Sequence, residues 1–296
     1  MDYRIRGFQA GDESAHLAFE KVVVQDWVWP FAHDADGLKR VVEDPSFDPD
    51  LHLYAVADGD LVGFTTVWQI AGDVDGAQTA FILFPKTLPG HEAAREPLVE
   101  QLISNLKARG FAKVEMWGCT MWPDSFAWCE AHGFRESPDR PRGYKVYYTY
   151  DLLKGGLSSQ AEGVRTVRTE DDHREAAGLA RIWYKRPASE CLEFIRRMEP
   201  HALSHLIVEQ HERVIGACLA AASDQRPTLA AIFYIYVENP VALRKLLSRV
   251  AAECRARGME KLLVDLIYEH RHFEPTYQDL GFVKEVEYAM YEKRLD

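Results

Sequence analysis

Two stretches of this chain repeat one another at an offset of 148 residues. Residues 108–114 read ARGFAKV, and residues 256–262 read ARGMEKL. The pair Gly133-Phe134 recurs as Gly281-Phe282 at the same offset, without a gap between the two matches. Such a repeat is longer than a solenoid unit of about 20–50 residues and has the length of a whole domain. The sequence therefore predicts two copies of one fold.

The copies are separated by a segment rich in glycine, serine and polar residues at positions 154–163. It has no core-forming periodicity, which is typical of a linker. We therefore predict an N-terminal domain over residues 1–153 and a C-terminal domain over residues 164–296. A length of 296 residues agrees with two domains, each long enough to bury a core.

The net charge of −11 is concentrated in the first copy. Residues 1–153 carry 14 lysines and arginines against 24 aspartates and glutamates. Nucleic-acid binding depends on clustered basic residues, so the charge argues against a nucleic-acid partner. An acidic lobe suits a cationic small molecule, and it equally suits a solvated surface that favours solubility.

The number and spacing of the cysteines and the hydropathy of the chain indicate the cellular compartment of the protein. The five cysteines are an odd number without a C-x-x-C pair, which favours reduced thiols in a cytoplasm over a disulfide or zinc framework. No apolar run approaches the ~18 residues that a membrane span needs. The first residues alternate like a strand rather than a signal peptide. We expect a cytoplasmic protein without membrane association.

The order of elements is the same in both copies and predicts a mixed α/β fold. In the first copy, Asp58-Gly59 between two apolar runs predicts a β-hairpin. A continuous apolar strand over residues 79–84, a helix closed by Gly110 and a strand over residues 114–117 follow. The second copy has a hairpin over residues 205–219, an apolar strand over 232–237 and a helix that ends at Gly258.

This order, with Ala-Arg-Gly closing a central helix and Gly-Phe after a later one, resembles the GNAT superfamily of acyl-CoA-dependent N-acyltransferases. The resemblance covers nearly the whole chain, once per copy. It implies a tandem protein in which each domain is a mixed, mostly antiparallel sheet flanked by helices. In this family the fourth and fifth strands splay apart to admit the pantetheine arm of acetyl-CoA. The pyrophosphate binds where a loop meets a helix N-terminus, because free N–H groups and the helix dipole attract anions.

In the first copy, the resemblance places the cofactor loop after the strand that ends at residue 84. It departs from the family pattern by carrying Glu92 where the middle glycine belongs, and a carboxylate there would repel a pyrophosphate. Lys86, His91 and Arg95 supply compensating positive charge. The residues that the resemblance assigns to cofactor binding are Leu83, Phe84, Pro85, Gly90, His91, Ala93, Ala94, Arg95 and, at the end of the fifth strand, Cys119.

The corresponding loop of the second copy contains no glycine. Asn239 followed by Pro240 is typical of a helix N-cap with proline at the first helical position. This copy is therefore the one expected to have lost cofactor binding.

Candidate catalytic residues are divided between the copies. The family commonly places a tyrosine five residues before the Phe of Gly-Phe, as the acid that protonates the CoA thiolate. That residue is Tyr277 in the second copy and Cys129 in the first. Core packing is an equal alternative for Tyr277, and a small buried core residue is the alternative for Cys129. Glu115, in the fifth strand, is a candidate base acting through water.

The acceptor wall of relatives corresponds here to an early helical region with aromatic residues beside carboxylates. Trp27, Trp29 and Asp34 are its candidates, since aromatic and acidic groups suit an organic cation. Core packing beside a polar loop explains the same residues. His201 and His205 have an i, i+4 spacing that can chelate a metal on a helix, but no His-Glu-x-x-His motif accompanies them. We expect no metal site.

The sequence thus predicts an N-acyltransferase that moves an acetyl group from acetyl-CoA to an amine of a small molecule by direct attack on the thioester. The first copy is expected to bind the cofactor and the second to be degenerate; a homodimer is left open. The alternatives are a non-catalytic GNAT-fold binding or scaffold protein and an acyl-CoA sensor. Glu92 separates these readings: facing solvent it permits cofactor binding, and facing the pyrophosphate site it opposes it.

Overall fold

The computed structural model describes residues 2–28, 32–72, 78–122, 124–157, 162–184 and 187–295. These residues form two compact units. Unit 1 combines Met1–Tyr144 with Val286–Asp296, and unit 2 is Lys145–Glu285.

Helices and strands alternate along the chain. The first eleven elements are β1 (Arg4–Gly7), α1 (Glu13–Val23), α2 (Ala35–Glu43), β2 (His52–Ala57), β3 (Asp60–Gly72), β4 (Gln78–Ile82), β5 (Lys86–Thr87), α3 (Arg95–Ala108), β6 (Phe111–Cys119), α4 (Ser125–Ala131) and β7 (Arg135–Glu136). The remaining elements are β8 (Lys145–Asp151), β9 (Val164–Thr166), α5 (Glu170–Tyr184), α6 (Ala188–Met198), β10 (Ala202–Gln210), β11 (Arg213–Ala222), β12 (Leu229–Val237), α7 (Pro240–Ala256), β13 (Lys261–Ile267), α8 (Glu274–Asp279) and β14 (Val283–Arg294).

The sheet of unit 1 has the strand order β1-β2-β3-β4-β6-β14. Every neighbouring pair is antiparallel except β4 and β6, which run parallel. Short strand β5 adds to β3, and β7 adds to β14. The β4–β6 pairing ends at Ile82 and Met116, whereas β6 continues to Cys119, so the two strands part at this end of the sheet.

The sheet of unit 2 has the order β8-β13-β12-β11-β10-β9 and is likewise antiparallel except for one central pair. Parallel strands β12 and β13 pair only from Leu229 to Ala231 on the β12 side. Strand β12 continues to Val237, but its residues beyond Ala231 are not paired with β13. The predicted fold class, a mixed and mostly antiparallel sheet flanked by helices in each half, is confirmed.

The internal repeat is visible in the backbone. Helices α3 and α7 end at Ala108 and Ala256, which lie at the repeat offset. Gly110 and Gly258, just beyond them, both have φ of 82°, a conformation that glycine adopts at no steric cost. The predicted hairpin turn at Asp58-Gly59 joins β2 and β3, and both of its residues have positive φ.

The last strand of each sequence copy belongs to the other compact unit. Strand β8, which closes the first copy, pairs with β13 in unit 2 over seven residues. Strand β14, which closes the second copy, pairs with β6 in unit 1 from Tyr288–Cys119 to Arg294–Lys113. Relative to the predicted domains 1–153 and 164–296, unit 1 lacks β8 and gains most of β14, and unit 2 shows the reverse exchange. Alternation of side chains identifies a strand, but it does not identify the edge that the strand joins.

Each sheet has a hydrophobic core on both faces. In unit 1, helix α3 packs Leu98, Leu102 and Leu106 onto one face, where Ile82 and Met116 are also fully buried. The opposite face of the same sheet is covered by α1 and holds an aromatic cluster of Phe8, Phe19, Tyr54 and Phe64. Polar groups placed on the α1 face are consequently surrounded by aromatic rings.

The five cysteines are all buried and free of disulfides. No helix within the described ranges is long and apolar enough to cross a membrane.

The exchange of β8 and β14 between the two units predicts that fragments made by cleavage between the copies stay associated. We expect that replacing residues 158–161 by a protease site and cleaving there leaves fragments 1–157 and 162–296 bound to each other under native conditions. Strand β14 of the second fragment completes the unit 1 sheet, and β8 of the first completes the unit 2 sheet. Size-exclusion chromatography before and after cleavage measures this. Separation of the fragments without denaturant would contradict the strand assignment, and separation in denaturant is the positive control.

Candidate functional site

The start of α3 in unit 1 gathers polar atoms that lack partners. A 3₁₀ turn over Glu92–Ala94 leads into the helix, and Ala94 at its N-cap offers no side-chain acceptor. Among the described residues, four buried side-chain atoms in and around this loop make no hydrogen bond: Thr87 Oγ1, His91 Nδ1, Arg95 Nε and Trp122 Nε1. Buried polar groups are nearly always satisfied, so these four atoms call for partners such as ordered water or a polar ligand.

Arg95 places a positive charge at the same helix end. Its guanidinium carbon lies 5.4 Å from the centroid of the Phe84 ring. Burial lowers the pKa of Arg95, and the carboxylates of Glu92 and Asp124 partly oppose that shift. A partly desolvated guanidinium beside a helix N-terminus is an environment that favours an anion.

Glu92 is exposed and turned back onto its own loop. Its Oε1 accepts a hydrogen bond from the Gly90 N–H at 3.1 Å. Hydrogen bonds from its own N–H and from Gly90 lower the pKa of Glu92. Gly90 has φ of 86°, which permits the tight turn. The residue predicted to repel a pyrophosphate therefore lies at the surface, where it occupies one backbone donor of the loop.

The other predicted cofactor residues lie along the path from β4 to α3. Leu83 follows β4, Pro85 and Ala94 are buried, and Ala93 is exposed. Phe84 is 2% exposed, and its ring stacks on Trp122 with centroids 5.2 Å apart.

Cys119 ends β6, on the other side of the point where the strands part. The Ser125 hydroxyl bridges its backbone, accepting from the Cys119 N–H at 3.0 Å and donating to its C=O at 2.8 Å. Burial raises the pKa of the Cys119 thiol to about 12, so it is not a nucleophile. At Gly118, an added Cβ would lie 2.9 Å from the Phe126 ring, so packing alone explains this glycine.

The three residues predicted to bind the acceptor have different surroundings. Trp27 is buried, and its ring lies 5.3 Å from that of Trp122, next to the predicted cofactor loop. Trp29 lies outside the described residues. Asp34 is the N-cap of α2, where its Oδ1 accepts from the Gly37 N–H at 2.6 Å. The structure therefore brings Trp27 to the loop and gives Asp34 a capping contact.

Beside Trp27 lies a buried ionic cluster centred on Glu20 of α1. The Lys86 ammonium donates to Glu20 Oε1 at 2.8 Å and lies 5.3 Å from the Trp27 ring centroid. His33 approaches Glu20 Oε2 with its backbone N–H at 2.8 Å and its Nδ1 at 3.0 Å. His16 Nε2 lies 3.5 Å from the same oxygen. Glu20, His16 and Lys86 are all buried.

Glu20 is ionised in this setting. Burial by itself would raise its pKa, but His16, His33 and the Lys86 charge outweigh burial and hold the pKa of Glu20 well below its usual range. A buried carboxylate of this kind is stable only while its partners stay in place.

A cavity of about 490 Å³ opens on the far side of this cluster, between the end of α2 and strand β3. His52 lines it and lies 5.6 Å from the His16 ring, centroid to centroid. Its Nδ1 is 3.0 Å from the Thr66 hydroxyl, and its Nε2 has no hydrogen-bond partner among the described residues. Burial lowers the pKa of His52 to about 3, so the ring is neutral at physiological pH.

A series of contacts thus runs through unit 1 from the cavity to the helix end. His52 contacts His16, which neighbours Glu20. From Glu20 onward, each residue contacts the next in the order Glu20, Lys86, Trp27, Trp122, Phe84 and Arg95.

Of the predicted catalytic residues, Glu115 is held by two cations. It lies on β6, where Lys113 Nζ approaches at 2.9 Å and Arg140 at 2.7 Å. Burial would raise its pKa, but hydrogen bonds from Lys113 and Arg140 outweigh it and lower the pKa of Glu115. A carboxylate in this environment is a weak base.

Cys129 and Tyr277 both lie in hydrophobic cores. Cys129 in α4 has no exposed surface, and burial raises the pKa of its thiol to about 12. Tyr277 in α8 is 2% exposed and stacks on Tyr148 with ring centroids 5.5 Å apart. The acid role proposed for each remains a prediction.

Unit 2 differs at the position that corresponds to the predicted cofactor loop of unit 1. The Asn239 side chain accepts from the Ala242 N–H at 2.9 Å, and Pro240 occupies the first turn of α7. The predicted N-cap is confirmed. Because the Ala242 N–H is already engaged and Pro240 has no N–H, this helix end offers fewer donors to an anion.

Sequence reasoning missed the cluster around Glu20. The i, i+4 spacing of His16 and Glu20 on one helix was its only local signal, and Lys86 lies 66 residues away from Glu20. Trp122 was also missed, because it comes from a loop without a family motif.

No protein-family model matches this chain, and no curated protein sequence matches it. Solved structures do resemble it. The GCN5-related N-acetyltransferase from Sphaerobacter thermophilus has a TM-score of 0.69 at 17% identity, covering 99% of this chain and 96% of that one. A tandem GNAT protein from the clavulanic acid biosynthesis pathway, solved without AcCoA, has a TM-score of 0.66 at 14% identity, covering 100% and 99%.

A GNAT-family acetyltransferase from Colwellia psychrerythraea has a TM-score of 0.63 at 13% identity, covering 98% of this chain and 99% of that one. These matches span the whole chain, and identities this low establish the fold alone. The protein has the GNAT fold in tandem, as the sequence predicted.

The Glu20 cluster makes stability dependent on pH. We expect Glu20→Gln to destabilise the protein by about 3 kcal/mol at pH 7, because it leaves the Lys86 charge buried without its counter-ion. An unfolded glutamate has a pKa of about 4.3 and folded Glu20 a lower one. The stabilisation is therefore present above pH ~4.3 and is lost as the pH falls further.

Urea unfolding of both proteins between pH 7 and pH 3 measures this difference, which should shrink at the acidic end. The matched control is Glu43→Gln, because Glu43 is exposed on α2 and paired with exposed Lys39 at 3.8 Å. It should change stability by less than about 0.5 kcal/mol. An equal effect of the two substitutions would contradict the buried ion pair.

Proposed function

We propose that this protein is an acyl-CoA-dependent N-acyltransferase that transfers an acetyl group from acetyl-CoA to an amine of a small molecule, with its active site in unit 1. The observation that carries the proposal is the group of unpartnered buried atoms at the start of α3. The tandem GNAT fold supports it, and the contacts leading from that helix end to a buried acid–base cluster support it further.

The residues at the start of α3 fit the cofactor. A pyrophosphate would accept from the backbone N–H groups of the loop and from Arg95, while His91 would contribute a further polar atom. Each of these side chains has a buried nitrogen without a partner among the described residues. Phe84 and Cys119 would border the acyl chain where β4 and β6 part. Acetyl-CoA supplies the acetyl group as a thioester.

The acceptor would approach from the cavity lined by His52, on the α2 side of the sheet. The acidic balance of residues 1–153 favours an acceptor that arrives as a cation. Such an ammonium must first lose one proton to solvent, because only the neutral amine is a nucleophile.

We assign proton transfer to His33. Its side chain is 18% exposed while its Nδ1 is bound to buried Glu20, so the carboxylate orients an imidazole that reaches the surface. The amine nitrogen forms a bond to the thioester carbonyl carbon and gives a proton to His33. The carbon–sulfur bond then breaks, and the thiolate takes that proton. No covalent enzyme intermediate is needed, and positioning supplies much of the rate.

A non-catalytic reading, as a scaffold or an acyl-CoA sensor, is favoured by two contacts. Glu92 occupies the Gly90 N–H, and Phe84 stacks directly on Trp122 at the point where the strands part. Binding of the cofactor without turnover would identify a sensor, and absence of binding would identify a scaffold.

Cofactor binding can be tested by calorimetric titration of acetyl-CoA into the full chain. We expect one site per chain, with Arg95→Ala weakening it at least tenfold, because a charge-assisted contact to phosphate is lost. The matched control is Arg244→Ala in α7, whose guanidinium pairs with exposed Asp279. Equal affinity in wild type and Arg95→Ala, or a loss confined to Arg244→Ala, would contradict the assignment of the cofactor to the start of α3.

Turnover can be tested by release of free CoA thiol in the presence of a panel of cationic amines. We expect His33→Gln to lower kcat by about 100-fold through loss of general acid–base catalysis, with acetyl-CoA affinity unchanged. The control is His132→Gln, because His132 stacks on Trp128 outside the Glu20 cluster. Full turnover by His33→Gln would remove this residue from the mechanism.

A further inference from the structure

Unit 2 contains a cluster of two imidazoles and one carboxylate that the proposed reaction does not use. His173 lies in α5, Glu199 follows α6 and His205 lies in β10. His173 Nε2 is 2.8 Å from Glu199 Oε2, and His205 Nδ1 is 2.9 Å from Glu199 Oε1. One nitrogen from each ring and the carboxylate oxygen lie within 4.8 Å of one another.

The outer nitrogen of each imidazole is fixed by its own partner. His173 Nδ1 lies 2.8 Å from the Thr169 carbonyl, which can only accept, so this nitrogen carries the proton. His205 Nε2 bonds to the hydroxyl of Tyr234, which is 1% exposed. This is the arrangement around metal-binding histidines, in which a hydrogen bond to the outer nitrogen sets the tautomer and orients the ring.

The inner nitrogens then face a carboxylate. A neutral His173 with its proton on Nδ1 points the lone pair of Nε2 at Glu199, which also presents lone pairs. The two sets of lone pairs repel each other. A cation between His173 Nε2 and the Glu199 carboxylate removes this repulsion, and that cation is either an added proton or a metal ion. With a metal ion on both inner nitrogens, His205 carries its proton on Nε2 and donates it to the Tyr234 hydroxyl, while His173 Nδ1 donates to the Thr169 carbonyl, so every polar atom of the two rings is satisfied.

The comparable cluster of unit 1 shows why the two differ. There, the Lys86 ammonium lies 2.8 Å from Glu20 and already provides a positive charge. Within the described part of unit 2, the ion pairs of Glu199 are with His173 and His205 alone. No lysine or arginine pairs with Glu199 there, so the position that Lys86 fills in unit 1 is available to a metal ion.

We propose that His173, Glu199 and His205 bind one divalent first-row transition-metal ion. Two imidazoles and a carboxylate suit zinc, cobalt or iron better than magnesium or calcium, which prefer oxygen ligands throughout. The Glu199 side chain is 38% exposed and His173 12%, which gives the ion a path from solvent. The ion would join α5, the end of α6 and β10, and it would leave coordination positions open.

This proposal departs from the metal-free expectation drawn from the sequence. The pair considered there was His201 and His205 on one helix face. His201 lies in a 3₁₀ turn and His205 in a strand, so helical spacing does not relate them. The actual partner, His173, is 32 positions before His205 and has no sequence motif in common with it.

The test uses the full chain without an affinity tag, stripped with a chelator and titrated with Co²⁺ and then Zn²⁺. We expect one Co²⁺ per chain with visible d–d absorption, displacement by one Zn²⁺, and a higher Tm with Zn²⁺ present. His173→Gln and Glu199→Gln should each weaken binding by more than 100-fold. Tyr234→Phe should weaken it by about 10- to 100-fold, because it removes an outer partner of His205.

The matched control is His201→Gln, which changes a histidine of the same segment outside the cluster and should bind as wild type does. Circular dichroism of the metal-free variants separates loss of ligand from loss of fold. If a variant does not fold, the stoichiometry and Co²⁺ spectrum of the wild type decide. No Co²⁺ or Zn²⁺ binding by the stripped wild type, or unchanged binding by folded His173→Gln, would overturn the proposal.

Discussion

The pairing of the C-terminal strand with β6 is the interaction on which unit 1 depends. Strand β14 forms seven register pairs with β6 and contributes Ala289, Met290 and Tyr291, each with 1% exposure or less. At the end of β6, Cys119 is tied to Ser125, and the same turn carries Trp122. Strand β14 therefore holds in place the strand that leads to Cys119 and Trp122, on one side of the candidate site.

Both units carry an imidazole–carboxylate–imidazole group with a tyrosine on one ring. In unit 1, the Tyr54 hydroxyl lies 3.0 Å from His16 Nδ1; in unit 2, Tyr234 bonds to His205. The two clusters differ in the source of positive charge. In unit 1 the charge comes from Lys86, so the Glu20 carboxylate of α1 is paired with a residue of the segment that leads into α3. In unit 2, Glu199 has no such lysine partner within the described residues.

Local patterns in the sequence predicted most of the fold. The 148-residue repeat, the hairpin at Asp58-Gly59 and the Asn239 cap each depend on residues near one another in the chain, and each is present. The exchange of β8 and β14 was not predictable in this way. Both strands have the same alternation whichever sheet they join, and the choice of edge depends on contacts distant in sequence.

The candidate site was predicted only in part. The loop before α3 was located from its resemblance to a family, but the orientation of Glu92 depends on a backbone turn that composition does not specify. Glu20 was overlooked because a single glutamate in an amphipathic helix is usually solvated. Its burial becomes visible only when Lys86 and His33 are brought beside it.

The exchange of terminal strands has a consequence for how this protein can evolve. After gene duplication, a copy that no longer contributes to activity is normally free to be deleted. Here each half of the gene encodes a strand that the other half's sheet requires, so losing either half would leave an incomplete sheet with an unpaired edge. Selection on one half of the gene is therefore enough to preserve the fold of the other half.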